Sequence, residues 1–111
     1  MSLKLDSPLR LLLIDGKIDE FNQQTAEEPA DLEDVDLRAT DLRGANLSHA
    51  NLRGAYLRNS DLRGLDLFYA DLDGATIKNS RISGTRFPQN IPAGEISLSH
   101  GLGARMRATR S

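Results

Sequence analysis

From Leu32 to Phe87 a large apolar residue stands at every fifth position: Leu32, Leu37, Leu42, Leu47, Leu52, Leu57, Leu62, Leu67, Leu72, Ile77, Ile82 and Phe87. A period of five fits neither the helical repeat of 3.6 nor the strand repeat of 2. Two residues before each large residue lies a mostly small one, from Ala30, Val35 and Thr40 through to Ser80 and Thr85, with Leu65 as the bulky exception. The residue between them is usually polar, as at Asp31, Asp36, Asp41, Asn46 and Asn51. Small and large residues alternating across a polar one describe a very short strand with one buried face. The remaining two positions must then turn the chain.

Glycine or asparagine occupies the fifth position at Gly44, Gly54, Asn59, Gly64, Gly74, Asn79 and Gly84. Both tolerate positive φ, so each pentapeptide reads as one side and one corner. Glycine recurs there every ten residues while the alternate corners hold Ala39, His49, Asn59, Tyr69 and Asn79, which predicts two kinds of turn on alternate sides. A four-sided coil of twenty residues accounts for this rhythm. A two-sided hairpin stack produces it as well, although the unbroken register of the leucines favours the coil.

Pentapeptides such as "ADLED", "ANLSH", "ANLRG" and "ADLDG" make the chain resemble the pentapeptide-repeat family, whose unit is A(D/N)LXX. The resemblance covers residues 30–89. It implies an all-β solenoid, a right-handed, four-sided parallel β-helix of about three coils, of the kind common in bacterial proteins. The large and small apolar residues would point inward and the other three outward. Family functions are diverse, so the resemblance transfers the fold and leaves the activity open. The replacement of Asp or Asn by Thr76, Arg81 and Arg86 predicts an irregular last coil.

Stacked coils bury their leucines only against neighbours, so both ends of a short column need covers. In residues 1–29, Ser7 as cap, Pro8 in the first turn, and Leu9, Leu12 and Leu13 predict a short helix ending near Gly16. Ile18 and Phe21 predict a second helical face before the acidic loop at Glu27, Glu28 and Pro29. Residues 90–98, with Ile91, Ile96 and Leu98, form the expected closing segment, and residues 99–111 read as a flexible basic tail.

Composition limits the chemistry. The chain has 111 residues, 39% hydrophobic and 5% aromatic, no cysteine and a formal net charge of −2. One small domain, no disulfide and no thiolate ligand follow. The absence of a long apolar run points to an unprocessed cytoplasmic protein without a membrane segment. His49 and His100 lie far apart and no nucleophile motif accompanies them, so an enzyme, a cofactor and a small-molecule substrate are not expected. "GLGARMR" lacks the preceding strand and following Lys of a phosphate loop, and Arg105, Arg107 and Arg110 lack a structured aromatic surface, which argues against direct nucleic-acid binding.

Assigning every fourth repeat to one side separates four surfaces. Side one carries an acidic stripe of Asp31, Glu33, Asp34, Asp71 and Asp73 against Arg53 alone. Without a chelating loop it reads as a solvated face before a metal site. Side two carries Arg38, Arg58 and Lys78 against Asp36, and side three carries Arg43, Arg63 and Arg81 against Asp41 and Asp61. Side four holds His49, Phe68, Tyr69 and Arg86 at outward positions. Adjacent outward aromatics flanked by His49 and Arg86 point to a partner surface. The competing reading packs Phe68 and Tyr69 under the C-terminal segment. A noncatalytic protein-interaction or scaffold module with an unidentified protein partner is therefore expected, with pairing of two copies through a coil end or the Phe68/Tyr69 side left open. The family resemblance implies an alternative, a mimic of DNA that binds DNA gyrase or topoisomerase IV. Nine acids against eight bases in residues 30–89 weaken it, because a polyanion mimic needs dense negative charge.

Overall fold

The computed structural model describes residues 5–109. Residues 31–86 are joined by parallel bridges between residues twenty apart: Asp31, Asn51 and Asp71 form one ladder, Asp36, Tyr56 and Thr76 a second, Asp41, Asp61 and Arg81 a third, and Asp66 with Arg86 a fourth. Twenty residues is therefore one circuit, and the hairpin stack is excluded. In the first ladder the Leu32 N–H donates to the Asn51 carbonyl and the Asn51 N–H to the Ala30 carbonyl, both at 2.8 Å, and the pattern recurs one coil later. The last coil keeps this register at Thr76, Arg81 and Arg86, against the expectation of irregularity. The bridge donors and acceptors are backbone groups, so an Asp or Asn at that position is not required for pairing.

The all-β expectation is met only in part, by parallel bridges that recur every twenty residues. Each side reaches its corner after about three residues, so the described bridges remain isolated and no continuous strand forms among the described residues. Three short helices flank the coils: α1 (Pro8–Ile14), α2 (Ile18–Gln24) and α3 (Ala93–Leu102).

The interior follows the five-residue pattern. Every large residue from Leu32 to Ile77 is buried, together with Ala30, Val35, Ala45, Ala50, Ala55, Leu65, Ala70 and Ala75. On side three the small inward positions are hydroxyls, and Ser60 and Ser80 donate to the Leu57 and Ile77 carbonyls at 2.6 and 2.7 Å, which satisfies them without water. Ile82 and Phe87 depart from the expected core and are only half-buried. The C-terminal segment bonds over sides one and two of the third coil and leaves these two residues partly uncovered.

The corners do not alternate as expected. Positive φ occurs at Asp34, Ala39, Gly44, Gly54, Asn59, Gly64, Gly74, Asn79 and Gly84, which are the corners of sides one, two and three. His49 and Tyr69, on side four, lack it. Large side chains are accommodated at those corners because the backbone stays out of the left-handed region that penalises a Cβ.

The first coil is covered by the N-terminal helices and the last coil in part by the C-terminal segment. Ser7 Oγ accepts from the Arg10 N–H at 3.3 Å and Pro8 opens α1, while Leu13 and Phe21 are buried against the first coil. Asn22 of α2 clasps that coil, donating to the Gly44 carbonyl at 3.0 Å and accepting from the Asn46 N–H at 2.7 Å.

The expected division into a closing segment at 90–98 and a flexible tail at 99–111 is corrected, because α3 crosses that boundary and Ser99 and Met106 are fully buried. The last coil has N–H groups that no fourth coil can accept, and this segment supplies substitutes. Ser99 Oγ accepts from Ile77 N–H at 3.0 Å, the His100 carbonyl from Asn79 N–H at 3.1 Å, and the Met106 carbonyl from Gly74 N–H at 2.6 Å. The tail's last two residues, Arg110 and Ser111, lie outside the described residues.

Candidate functional site

Side four places His49, Phe68, Tyr69 and Arg86 in one continuous cluster. His49 and Tyr69 occupy the same corner of successive coils, and their rings stack with centroids 5.1 Å apart and planes 7° from parallel. Phe68 meets Tyr69 edge to face at 5.0 Å and 87°. The Arg86 guanidinium lies 4.0 Å from the Phe68 centroid, within cation–π range, and its Nη1 is 3.5 Å from Asp66 Oδ2. Asp66 Oδ1 in turn accepts from the Phe68 N–H at 3.0 Å and holds the turn that presents both aromatics.

Tyr69 remains 64% exposed, so the C-terminal segment does not cover it. Phe68 is half-buried beneath Arg86 and Tyr69. Beside His49 opens a cleft of about 210 Å³ lined in part by Glu27, Glu28, Pro29, Asn46 and Ser48. Ser48 Oγ lies 3.2 Å from His49 Nδ1 and also bonds Asn46 Oδ1 at 3.0 Å. Among the described residues no carboxylate or carbonyl orients the other ring nitrogen, as a general base supporting a nucleophile would require.

Only the Asp71 and Asp73 part of the acidic stripe is charge-compensated. Asn51 Nδ2 donates to Asp31 Oδ1 and Glu33 Oε1 at 3.3 and 3.1 Å. Arg53 lies 3.2 Å from Asp71 and 3.6 Å from Asp73, and Asp73 Oδ1 accepts from the Ala108 N–H at 2.9 Å. Asp34 stands at a left-handed corner with φ 59°. Among the described residues no group of three or more His, Asp or Glu is placed to hold a metal ion.

Ion pairing is most complete on side three. Arg63 forms a two-pronged pair with Asp61, at 2.9 and 2.7 Å, and Arg43 does the same with Asp41 while also reaching Asp61 at 3.3 Å. The Arg63 hydrogen bonds hold the Asp61 carboxyl down at about 2, with the Arg43 charge assisting. Arg38 acts likewise on Asp36, which it holds below the ordinary carboxylate value.

Arg105 and Tyr56 form a contact that the five-residue pattern does not signal. Arg105 donates to Tyr56 Oη at 3.0 Å and to the Gly74 carbonyl at 2.8 Å, with its guanidinium 5.3 Å from the Tyr56 centroid. Arg107 pairs with Glu95 at 3.1 Å. Neither belongs to a free basic tail.

Among the described residues no helix is long and apolar enough to cross a membrane. Neither a curated protein nor a solved structure gives a significant match to the chain. The family model for pentapeptide repeats matches residues 30–67 and 45–84, in eight copies. These are the residues whose leucines fill the interior at five-residue spacing and whose bridges recur every twenty, and on that ground the chain belongs to the pentapeptide-repeat family.

Proposed function

We propose that this protein is a noncatalytic protein-interaction module that docks a partner protein on side four. The repeats serve as the right-handed, four-sided β-helical column that holds this surface rigid. The observation that carries the reading is Tyr69, 64% exposed yet braced on one face by His49 and at its edge by Phe68. An aromatic fixed before binding offers a large contact area at little further entropic cost, and Arg86 with Asp66 supplies a polar rim. The mimicry of DNA toward gyrase or topoisomerase IV is disfavoured by Arg53, which compensates Asp71 and Asp73 in the middle of the acidic stripe.

The test is affinity capture from a lysate of the source cell with the wild type beside a Phe68→Ser, Tyr69→Ser variant of matched melting temperature. The reading expects a protein retained by the wild type and absent from the variant. Equal capture by both would remove side four as the docking surface. Inhibition of gyrase supercoiling by both proteins would replace this reading with the DNA-mimic one.

A further inference from the structure

Among the described residues side two leaves two successive cations without a carboxylate partner, whereas on side three Arg81 alone lacks one. On sides one and three, arginines beside the bridging positions find carboxylates: Arg53 meets Asp71 and Asp73, Arg43 meets Asp41 and Asp61, and Arg63 meets Asp61. On side two the bridging position is Asp36 in the first coil, but Tyr56 and Thr76 in the second and third. Arg38 therefore pairs with Asp36 at 2.8 Å, while Arg58 and Lys78 have no carboxylate within 4 Å among the described residues.

Stacking sets these cations in line. The bridges from Asp36 through Tyr56 to Thr76 place Arg38, Arg58 and Lys78 two residues further along successive coils, at a rise of about 4.8 Å each by the ordinary strand spacing. Arg105 joins them from the C-terminal segment, anchored on Tyr56 Oη and the Gly74 carbonyl. The result is a cleft of about 240 Å³ whose walls include Arg38, Tyr56, Arg58, Lys78, Leu102 and Arg105. Its lining contains four cations and no carboxylate. Leu102, 75% exposed, forms an apolar lip at its C-terminal end.

Arg38 is already compensated by Asp36, but Arg58 and Lys78 are like charges on successive coils with no carboxylate between them, and an anion in the cleft relieves their repulsion. We infer that side two is a second binding surface, one that takes an extended acidic segment of a protein, its carboxylates meeting Arg58 and Lys78 on successive coils, with Arg105 beside Tyr56 at the flank of the cleft. The cleft is smaller than the usual enclosed small-molecule site, and a linear series of cations suits a strand of side chains better than a single compact ligand. Nucleic acid is a poorer fit. Its bases need an open aromatic face, and the Arg105 guanidinium lies over Tyr56, while the chain as a whole carries a net charge of −2.

This inference does not depend on side four, and its test is separate. Fluorescence anisotropy with a labelled hexaglutamate peptide, at low and at physiological salt, reads it directly. An Arg58→Gln, Lys78→Gln variant is compared with Arg81→Gln, an exposed arginine on side three that serves as control, after circular dichroism shows all to be folded. The expected result is saturable binding to the wild type, weakened about tenfold or more in the double variant and less than about twofold in Arg81→Gln. Absence of saturable binding would overturn the proposal. So would an equal loss in the control variant, which would mean unlocalised attraction, or tighter binding of a single-stranded oligonucleotide of the same charge.

Discussion

Ser99 Oγ accepts the Ile77 N–H at 3.0 Å, in the place where the next coil's carbonyl would stand. In the coils below, the equivalent donors Leu37 and Leu57 bond the Tyr56 and Thr76 carbonyls at 2.8 and 2.9 Å. A single hydroxyl thus ends a ladder that backbone groups propagate. Because Ser99 is fully buried, Ser99→Ala leaves the Ile77 N–H without an acceptor and should lower stability by about 1–3 kcal/mol. Urea denaturation measures this, with Ser97→Ala, an exposed neighbour on α3, as the near-neutral control. Equal stability of the two variants would mean that the hydroxyl does not cap the ladder.

The interior should soften toward the C-terminal end of the column. Leu57 lies fully buried in the middle coil, whereas Ile82 in the last coil is half-buried. Leu57→Ala should therefore cost about 2–5 kcal/mol, as buried leucine truncations do, and Ile82→Ala distinctly less. Denaturant midpoints for the two variants check the order, and a larger loss at Ile82 would contradict it.

Most of the repeat region was legible because a pentapeptide carries its own instructions: an inward leucine, an inward small residue and a corner. Once the coil length was set at twenty, His49 fell above Tyr69 and Asp66 above Arg86, so the side-four cluster was legible too. Corners were read less well, since Asp34 and Ala39 adopt positive φ without the glycine or asparagine that announces it. The C-terminal cap was missed for a different reason. Ser99 and His100 act through hydrogen bonds to Ile77, Asn79 and Ser80, contacts over twenty residues or more that leave no periodic trace. Of the anchors in residues 99–109, Met106 alone is a large buried apolar side chain, too little to distinguish a packed segment from a tail.

Ala39 occupies a left-handed corner, at φ 55°, where the corresponding corners of side three hold Gly44, Gly64 and Gly84. An L side chain there costs about 1–2 kcal/mol, while glycine adds unfolded-state entropy worth about 0.5–1 kcal/mol. The first effect is the larger, so Ala39→Gly should stabilise the protein slightly, by up to about 1 kcal/mol. The exposed position leaves no packing to lose. A lowered melting temperature would show that the corner is not strained.

His49 and Tyr69 are twenty residues apart in sequence but 5.1 Å apart as rings. A stacked cross-ladder pair of this kind should show a coupling of about 0.2–1 kcal/mol in a double-mutant cycle built from His49→Ala and Tyr69→Ala. Strict additivity of the two losses would mean that the rings are neighbours without mutual support, and the rigidity ascribed to Tyr69 would lose its basis.

Acid should act on side three through Asp61. Its carboxyl sits at about 2, held down chiefly by the hydrogen bonds from Arg63, whereas an unfolded aspartate titrates near about 3.9. A group depressed on folding contributes stability that is complete above its unfolded value and disappears as pH falls through its folded value. The Asp61 contribution should therefore persist down to about pH 4 and vanish by about pH 2. Asp61→Asn keeps the shape and an acceptor for the Arg63 N–H but carries no charge at any pH. The melting temperature of the wild type should exceed that of the variant by a constant margin from about pH 7 to pH 5, and the margin should close between about pH 4 and pH 2. Asp36 and Asp41 are also held low by their arginines, but they titrate in both proteins and largely cancel in the difference. A margin that survives unchanged at pH 2 would place the effect in packing, not in the ion pair.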